Sequence, residues 1–153
     1  MKSVQETSPL PDREIISTRL LSAPRGPVFE AFSDPSQLVR WWGPKGFTNT
    51  FKEFDLRPGG FWRLIMHGPN GADYANESSF LEVVPPERIV FQHLEPIHRF
   101  RMTMTFVEQD GKTLLTWRML FESVDECVKL RSFIADANEQ NFDRLEAHLK
   151  TTT

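Results

Sequence analysis

Residues 123–150 run SVDECVKLRSFIADANEQNFDRLEAHLK, 28 residues without a glycine or a proline. Ser123 and Glu126 make an S-x-x-E capping box, the pattern that satisfies orphan backbone N–H groups at a helix start. Val124, Cys127, Val128, Arg131, Ile134, Ala135, Asn138, Phe142, Leu145 and Leu149 recur at steps of three and four, so they mark one face. At 1.5 Å per residue such a helix is ~40 Å long. It can lie across a whole sheet, and the preceding residues supply one.

Working back from that helix, alternating runs predict strands near Thr48–Asp55, Gly60–His67, Tyr74–Val84, Arg88–Glu95, Phe100–Glu108 and Thr113–Phe121. Strong turn signals separate them: Arg57-Pro58-Gly59-Gly60, Gly68-Pro69-Asn70-Gly71, Pro85-Pro86 and Gln109-Asp110-Gly111-Lys112. Asp-Gly between two alternating runs is a hairpin signal, so neighbours pair antiparallel. A first strand is expected from Arg13 to Leu21, stopped by Ser22-Ala23-Pro24. Pro24 and Pro27 suit a first helical turn, and Val28, Phe29, Ala31 and Phe32 follow at helical spacing. Asp34-Pro35 caps and opens a second short helix, which Gly43-Pro44 ends just after Trp41-Trp42. The order is one strand, two short helices, six antiparallel strands and a long helix. That order predicts an α+β fold with its helices on one face of the sheet. Residues 13–150 are expected to form one domain, and the polar stretch MKSVQETSPLPD at 1–12 a flexible tail.

The chain has 153 residues, 39% apolar and 25% charged, a balance that builds a core without staples. Its net charge of -3, with no basic stripe, excludes a general nucleic-acid binder. No apolar run is long enough to span a bilayer, and residues 1–12 lack the apolar stretch of a signal peptide. Cys127 is the only cysteine, so no internal disulfide or multi-thiolate zinc site forms, which fits a cytoplasmic location. His67, His93, His98 and His148 make no local metal-ligand pair, and no cofactor is called for. No G-x-S-x-G, P-loop or G-x-G-x-x-G appears, so no catalytic residue is assigned. The 13 Phe and 4 Trp against a single Tyr suit an apolar interior or an apolar pocket.

Strand alternation selects the face turned to the helix. Trp62, Leu64 and Met66 share one side, as do Phe100, Met102, Met104 and Phe106, and Leu115, Trp117, Met119 and Phe121. His93 falls in phase with Ile89 and Phe91 and has two readings, an acid or base facing a cavity or an exposed or simply hydrogen-bonded histidine. Trp41-Trp42 has two readings, a gate at a cavity mouth or an anchor of the short helix in the core. Asn76 and Glu77 lie on opposite faces of one strand, and a buried carboxylate there would need Arg63 or Arg101. Asn138 interrupts the apolar helix face. It meets either a backbone carbonyl or a ligand or water.

Asp34-Pro35 through Trp41-Trp42-Gly43-Pro44-Lys45-Gly46-Phe47 resembles the DPxxLxxWWGPxGF signature of bacterial proteins similar to the C-terminal domain of the heat-shock-protein-90 ATPase activator. Further matches are Asp55 to Gly60, Met66 to Gly71, Asp73-Tyr74 with Asn76-Glu77, Pro85 to Ile89, and Phe142-Asp143-Arg144-Leu145. The resemblance covers Ile15 to Leu149 and implies the Bet v 1-like, START-related helix-grip fold. In that fold a curved antiparallel sheet wraps the terminal helix and leaves a cavity. The implied cavity residues are Trp41, Trp42, Phe47, Trp62, Leu64, Met66, His93, Met102, Met104, Trp117, Met119, Asn138 and Phe142. Where relatives often carry Gly-Trp in the helix, this chain has Ala137 and Asn138, a small amide in place of a ring. The implied function is binding of a hydrophobic small molecule: a lipid, an aromatic metabolite or a polyketide-like compound. A polyketide cyclase-like enzyme and a chaperone-interacting module are the alternatives. Monomer and homodimer both stay open.

Overall fold

The computed structural model describes residues 13–95 and 99–152, without the side chain of Glu95. The expected tail at 1–12 and His98 lie outside the described residues. Strands β1 (Glu14–Leu21), β2 (Thr48–Phe54), β3 (Phe61–His67), β4 (Asp73–Val84), β5 (Arg88–Glu95), β6 (Phe100–Gln109) and β7 (Lys112–Phe121) form one antiparallel sheet. Helices α1 (Arg25–Ser33) and α2 (Pro35–Trp41) follow β1, and α3 (Val124–Thr151) closes the chain. The strand order is β1-β7-β6-β5-β4-β3-β2, so the first strand pairs with the last. The fold is α+β, a curved sheet holding the long helix, as the patterning predicts.

Local chemistry accounts for the joints. The Asp34 carboxylate accepts from the Ser36 N–H at 2.9 Å, with Pro35 at the first helical position. The Ser123 hydroxyl accepts from the Glu126 N–H at 3.2 Å. Asp110 (φ 52) and Gly111 (φ 79) both adopt positive φ in the β6–β7 hairpin, the backbone form that matches the twist of its strands. The sheet bends where its register slips, between Phe51 and Glu53 against β3 and at two points between β4 and β5.

Most of the predicted concave face is buried: Trp62, Leu64, Met102, Met104, Phe106, Leu115, Trp117, Met119 and Phe121 lie in the core, packed with α1, α2 and α3, while Met66 and Phe100 are half-buried against it. The helix stripe needs one correction. Val124 and Val128 are 42% and 58% exposed, while Asn141 and His148 are buried. Val128 sits ~100° round the helix from fully buried Cys127, which takes it off the contact line. Val124 opens the first turn, beyond the packed stretch.

Candidate functional site

The space between sheet and α3 is filled by a cluster of rings. Trp42 packs on Trp62 (centroids 4.9 Å apart), on Trp117 (5.4 Å) and on Trp41 (5.7 Å). Trp117 meets Phe142 of α3 at 4.7 Å, edge to face. Trp62 also stacks beside Phe80 (6.2 Å) and touches Phe91 (5.6 Å). A gap of about 10 Å³ remains on the side of α1 and α2, lined by Phe32, Leu38, Trp42, Phe54, Leu56, Trp62, Phe80, Ile89 and Met104 and by no residue of α3. That is barely room for a water, and the walls are apolar.

Trp41 and Trp42 differ although they are adjacent. Trp41 is 1% exposed, and its indole N–H donates to the Ala31 carbonyl at 3.1 Å. Trp42 is half-buried and follows the last helical residue of α2. The backbone around it is tied down by remote side chains. Arg144 of α3 donates to the carbonyls of Trp42, Gly43 and Pro44 at 3.0–3.1 Å and of Arg40 at 3.1 Å. Asn141 donates to the Trp41 carbonyl at 3.0 Å. Asn49 of β2 donates to the carbonyls of Val39 and Trp42 at 3.2 and 2.9 Å. Together these cap the carbonyl end of α2, where a cation is also favoured by the helix dipole. Burial lowers the proton affinity of Arg144. Gly43 (φ +102) completes the tie, since a Cβ there would stand 3.0 Å from the Met66 methyl.

Outside the interior, an open groove of about 510 Å³ runs along α2 and α3, lined by Arg40, Trp41, Arg144, Ala147, His148 and Thr151. His148 contacts Gln37 Oε1 at 2.9 Å, and burial together with the charge of Arg40 lowers its pKa. Among the described residues no group of three His, Cys, Asp or Glu side chains could hold a metal. Nor, among them, is any helix long and apolar enough to cross a membrane.

The model of the family described as activator of Hsp90 ATPase homolog 1-like protein matches residues 22–150. The chain belongs to that family. No curated protein matches it significantly. Among solved structures it resembles a protein from Nitrosomonas europaea (TM-score 0.84, 21% identity, 94% of this chain and 97% of that one). It also resembles a Mycobacterium smegmatis protein (0.82, 26% identity, 94% and 95%) and an Arthrobacter aurescens protein (0.84, 21% identity, 99% and 90%). These likenesses carry the fold. Binding of hydrophobic ligands is common in the wider superfamily of this Hsp90-activator-like family.

Of the residues that the sequence singled out, Trp41, Trp42, Trp62, Trp117 and Phe142 meet in one ring cluster, and Met104 lines the same gap. Leu64, Met102 and Met119 belong to the surrounding core, and Met66 packs half-buried against it. Phe47 instead packs on Tyr74, 6.1 Å away. His93 is buried further along β5, stacked on Phe100 at 4.7 Å, with the Ser78 hydroxyl 3.5 Å from its ring. The Asn138 amide donates to the Ser17 hydroxyl at 3.1 Å and lies 3.5 Å from the Met119 sulfur. Its partners are thus side chains, not a backbone carbonyl. Glu77 pairs with Arg63 across β3 and β4 at 3.5 Å, half-exposed.

Sequence reading passed over Phe54, Phe80, Asn49, Asn141 and the role of Arg144. Alternation hides Phe54, because the bulge in β2 puts Phe51 and Phe54, three residues apart, on one side, stacked at 5.9 Å. Phe80 lies two residues from Ser78 in β4, and both are buried, but the polar positions before Phe80 give no apolar alternation.

Proposed function

We propose that the protein binds a hydrophobic small molecule between the sheet and α3, at the volume now filled by the Trp42 ring, with no reaction assigned. The observation that carries this reading is the position of Trp42. It is the half-buried ring at the end of α2, it borders the apolar gap between the sheet and the two short helices, and it packs on both Trp62 and Trp117. Its backbone is fixed by Asn49 and Arg144, so the ring opens the interior by rotating about its side-chain bonds. An apolar ligand replaces the contacts that Trp42 gives up. Lipids, aromatic metabolites and polyketide-like compounds fit this chemistry, since burying their surface is favourable by ~25 cal/mol per Å² before ordering costs. Fully buried Cys127 suits a reducing, cytoplasmic setting.

Native mass spectrometry of freshly purified protein tests this. A small molecule that co-purifies and partitions into organic solvent is expected. Protein of the bare chain mass that also takes up no apolar dye contradicts the proposal.

A further inference from the structure

We infer that the interior ligand is a neutral molecule on a flat apolar frame that presents acceptor oxygen to the indole N–H groups of Trp62 and Trp117. This rests on the binding reading above and names its chemistry.

Among the described residues, the buried side-chain polar atoms without a hydrogen-bond partner are Trp62 Nε1, Trp117 Nε1 and Asn49 Oδ1. All of them belong to residues that touch Trp42: the two rings at 4.9 and 5.4 Å, and Asn49 through its bond to the Trp42 carbonyl at 2.9 Å. The neighbouring Trp41 shows the ordinary outcome, an indole N–H paired with Ala31 O. A buried indole normally finds a partner, and leaving it unmade costs the desolvation of that donor. At Trp62 water does not repair this. The gap beside Trp62 is about 10 Å³ and walled by apolar side chains, and a buried water needs several polar neighbours. Unpaired donors that gather round one displaceable ring point to a partner that arrives with the ligand.

The donors are neutral, which sets the acceptor's charge. Arg144, the nearby cation, is spent on the carbonyls of residues 40–44. A carboxylate in the ring cluster would be buried without a counter-charge, at high cost. A ketone, quinone or ester oxygen meets an indole N–H without that cost. Aromatic carbonyl compounds are therefore preferred over hydrocarbons of the same shape.

Fluorene and fluorenone share a tricyclic frame and differ in a CH₂ against a C=O. Fluorenone is expected to bind at least ~5-fold tighter than fluorene, the ratio expected for one net hydrogen bond. In Trp62→Phe and Trp117→Phe, which keep a ring and remove the N–H, the preference shrinks toward parity. In ¹H–¹⁵N spectra of the unaltered protein the Trp62 and Trp117 indole signals shift downfield with fluorenone and not with fluorene, while that of Trp41 stays. These spectra decide the matter even where a variant fails to fold. Equal binding of both compounds with no indole shift overturns the acceptor inference and leaves the apolar site standing. Binding of neither overturns the apolar site and the inference with it.

Discussion

From Val124 to Ala137, α3 fully buries only Cys127, and Phe133 stands 73% exposed. From Asn138 to Thr151 the same helix buries Asn138, Asn141, Phe142, Leu145, His148 and Leu149. The first half is held by its cap and by Arg131, which donates to the Glu14 carbonyl at 2.8 Å. The second half carries the ring that meets Trp117 and the amide and guanidinium that tie α2. Arg19 of β1 adds ion pairs to Glu139, Asp143 and Glu146, all in that half. Burial disfavours the Arg19 charge, but hydrogen bonds to Asp143 and Glu139 and the field of Glu146 outweigh it and raise its proton affinity. An unbroken helix thus grips the sheet with one half. That half also organises the site.

This contrast predicts a steep gradient of mutational cost. Phe142→Ala removes a fully buried ring and should destabilise the protein by about 3–5 kcal/mol in denaturant melts. Asn138→Trp, which restores the ring that relatives carry, must displace the Ser17 and Met119 contacts in a packed spot. It should cost at least ~1–3 kcal/mol, and a neutral result would reveal space beside Asn138. His148 has a lowered pKa in the folded protein, so the unfolded chain binds its proton more readily. Its contribution is present above the unfolded value of about 6.5 and is lost as pH falls through the lower folded value. Melts of the protein and of His148→Gln at pH 8 and pH 5 should show a difference that shrinks or changes sign at the acid end. At the bottom of the gradient, Phe133→Ala and Val128→Ala should change stability by no more than ~0.5 kcal/mol.

The sequence discloses the parts of this molecule that depend on period and punctuation. Proline, glycine and Asp-Gly positions mark the element ends, and alternation picks out Trp62, Met104 and Trp117 as inward. It does not disclose the unequal halves of α3, because Val128 and Leu145 look alike until the sheet's edge is placed. Nor does it disclose Arg144. A polar residue on a helix has no local mark that its partners are the carbonyls of residues about a hundred positions earlier. The residual volume is equally hidden, since ring sizes add up to a filled interior only after packing. Asn138 shows this well: the missing ring of the relatives suggests an opening, yet the amide is fastened to Ser17.

The central claim is that Trp42 occupies the volume a ligand would take. Titrating N-phenyl-1-naphthylamine into the protein and into Trp42→Ala, both confirmed folded by circular dichroism, tests it most directly. Weak uptake by the unaltered protein and at least ~10-fold tighter uptake by Trp42→Ala is the predicted result, since the truncated site no longer has to move a ring whose removal leaves a cavity. A folded Trp42→Ala that takes up the dye no better than the unaltered protein would contradict it.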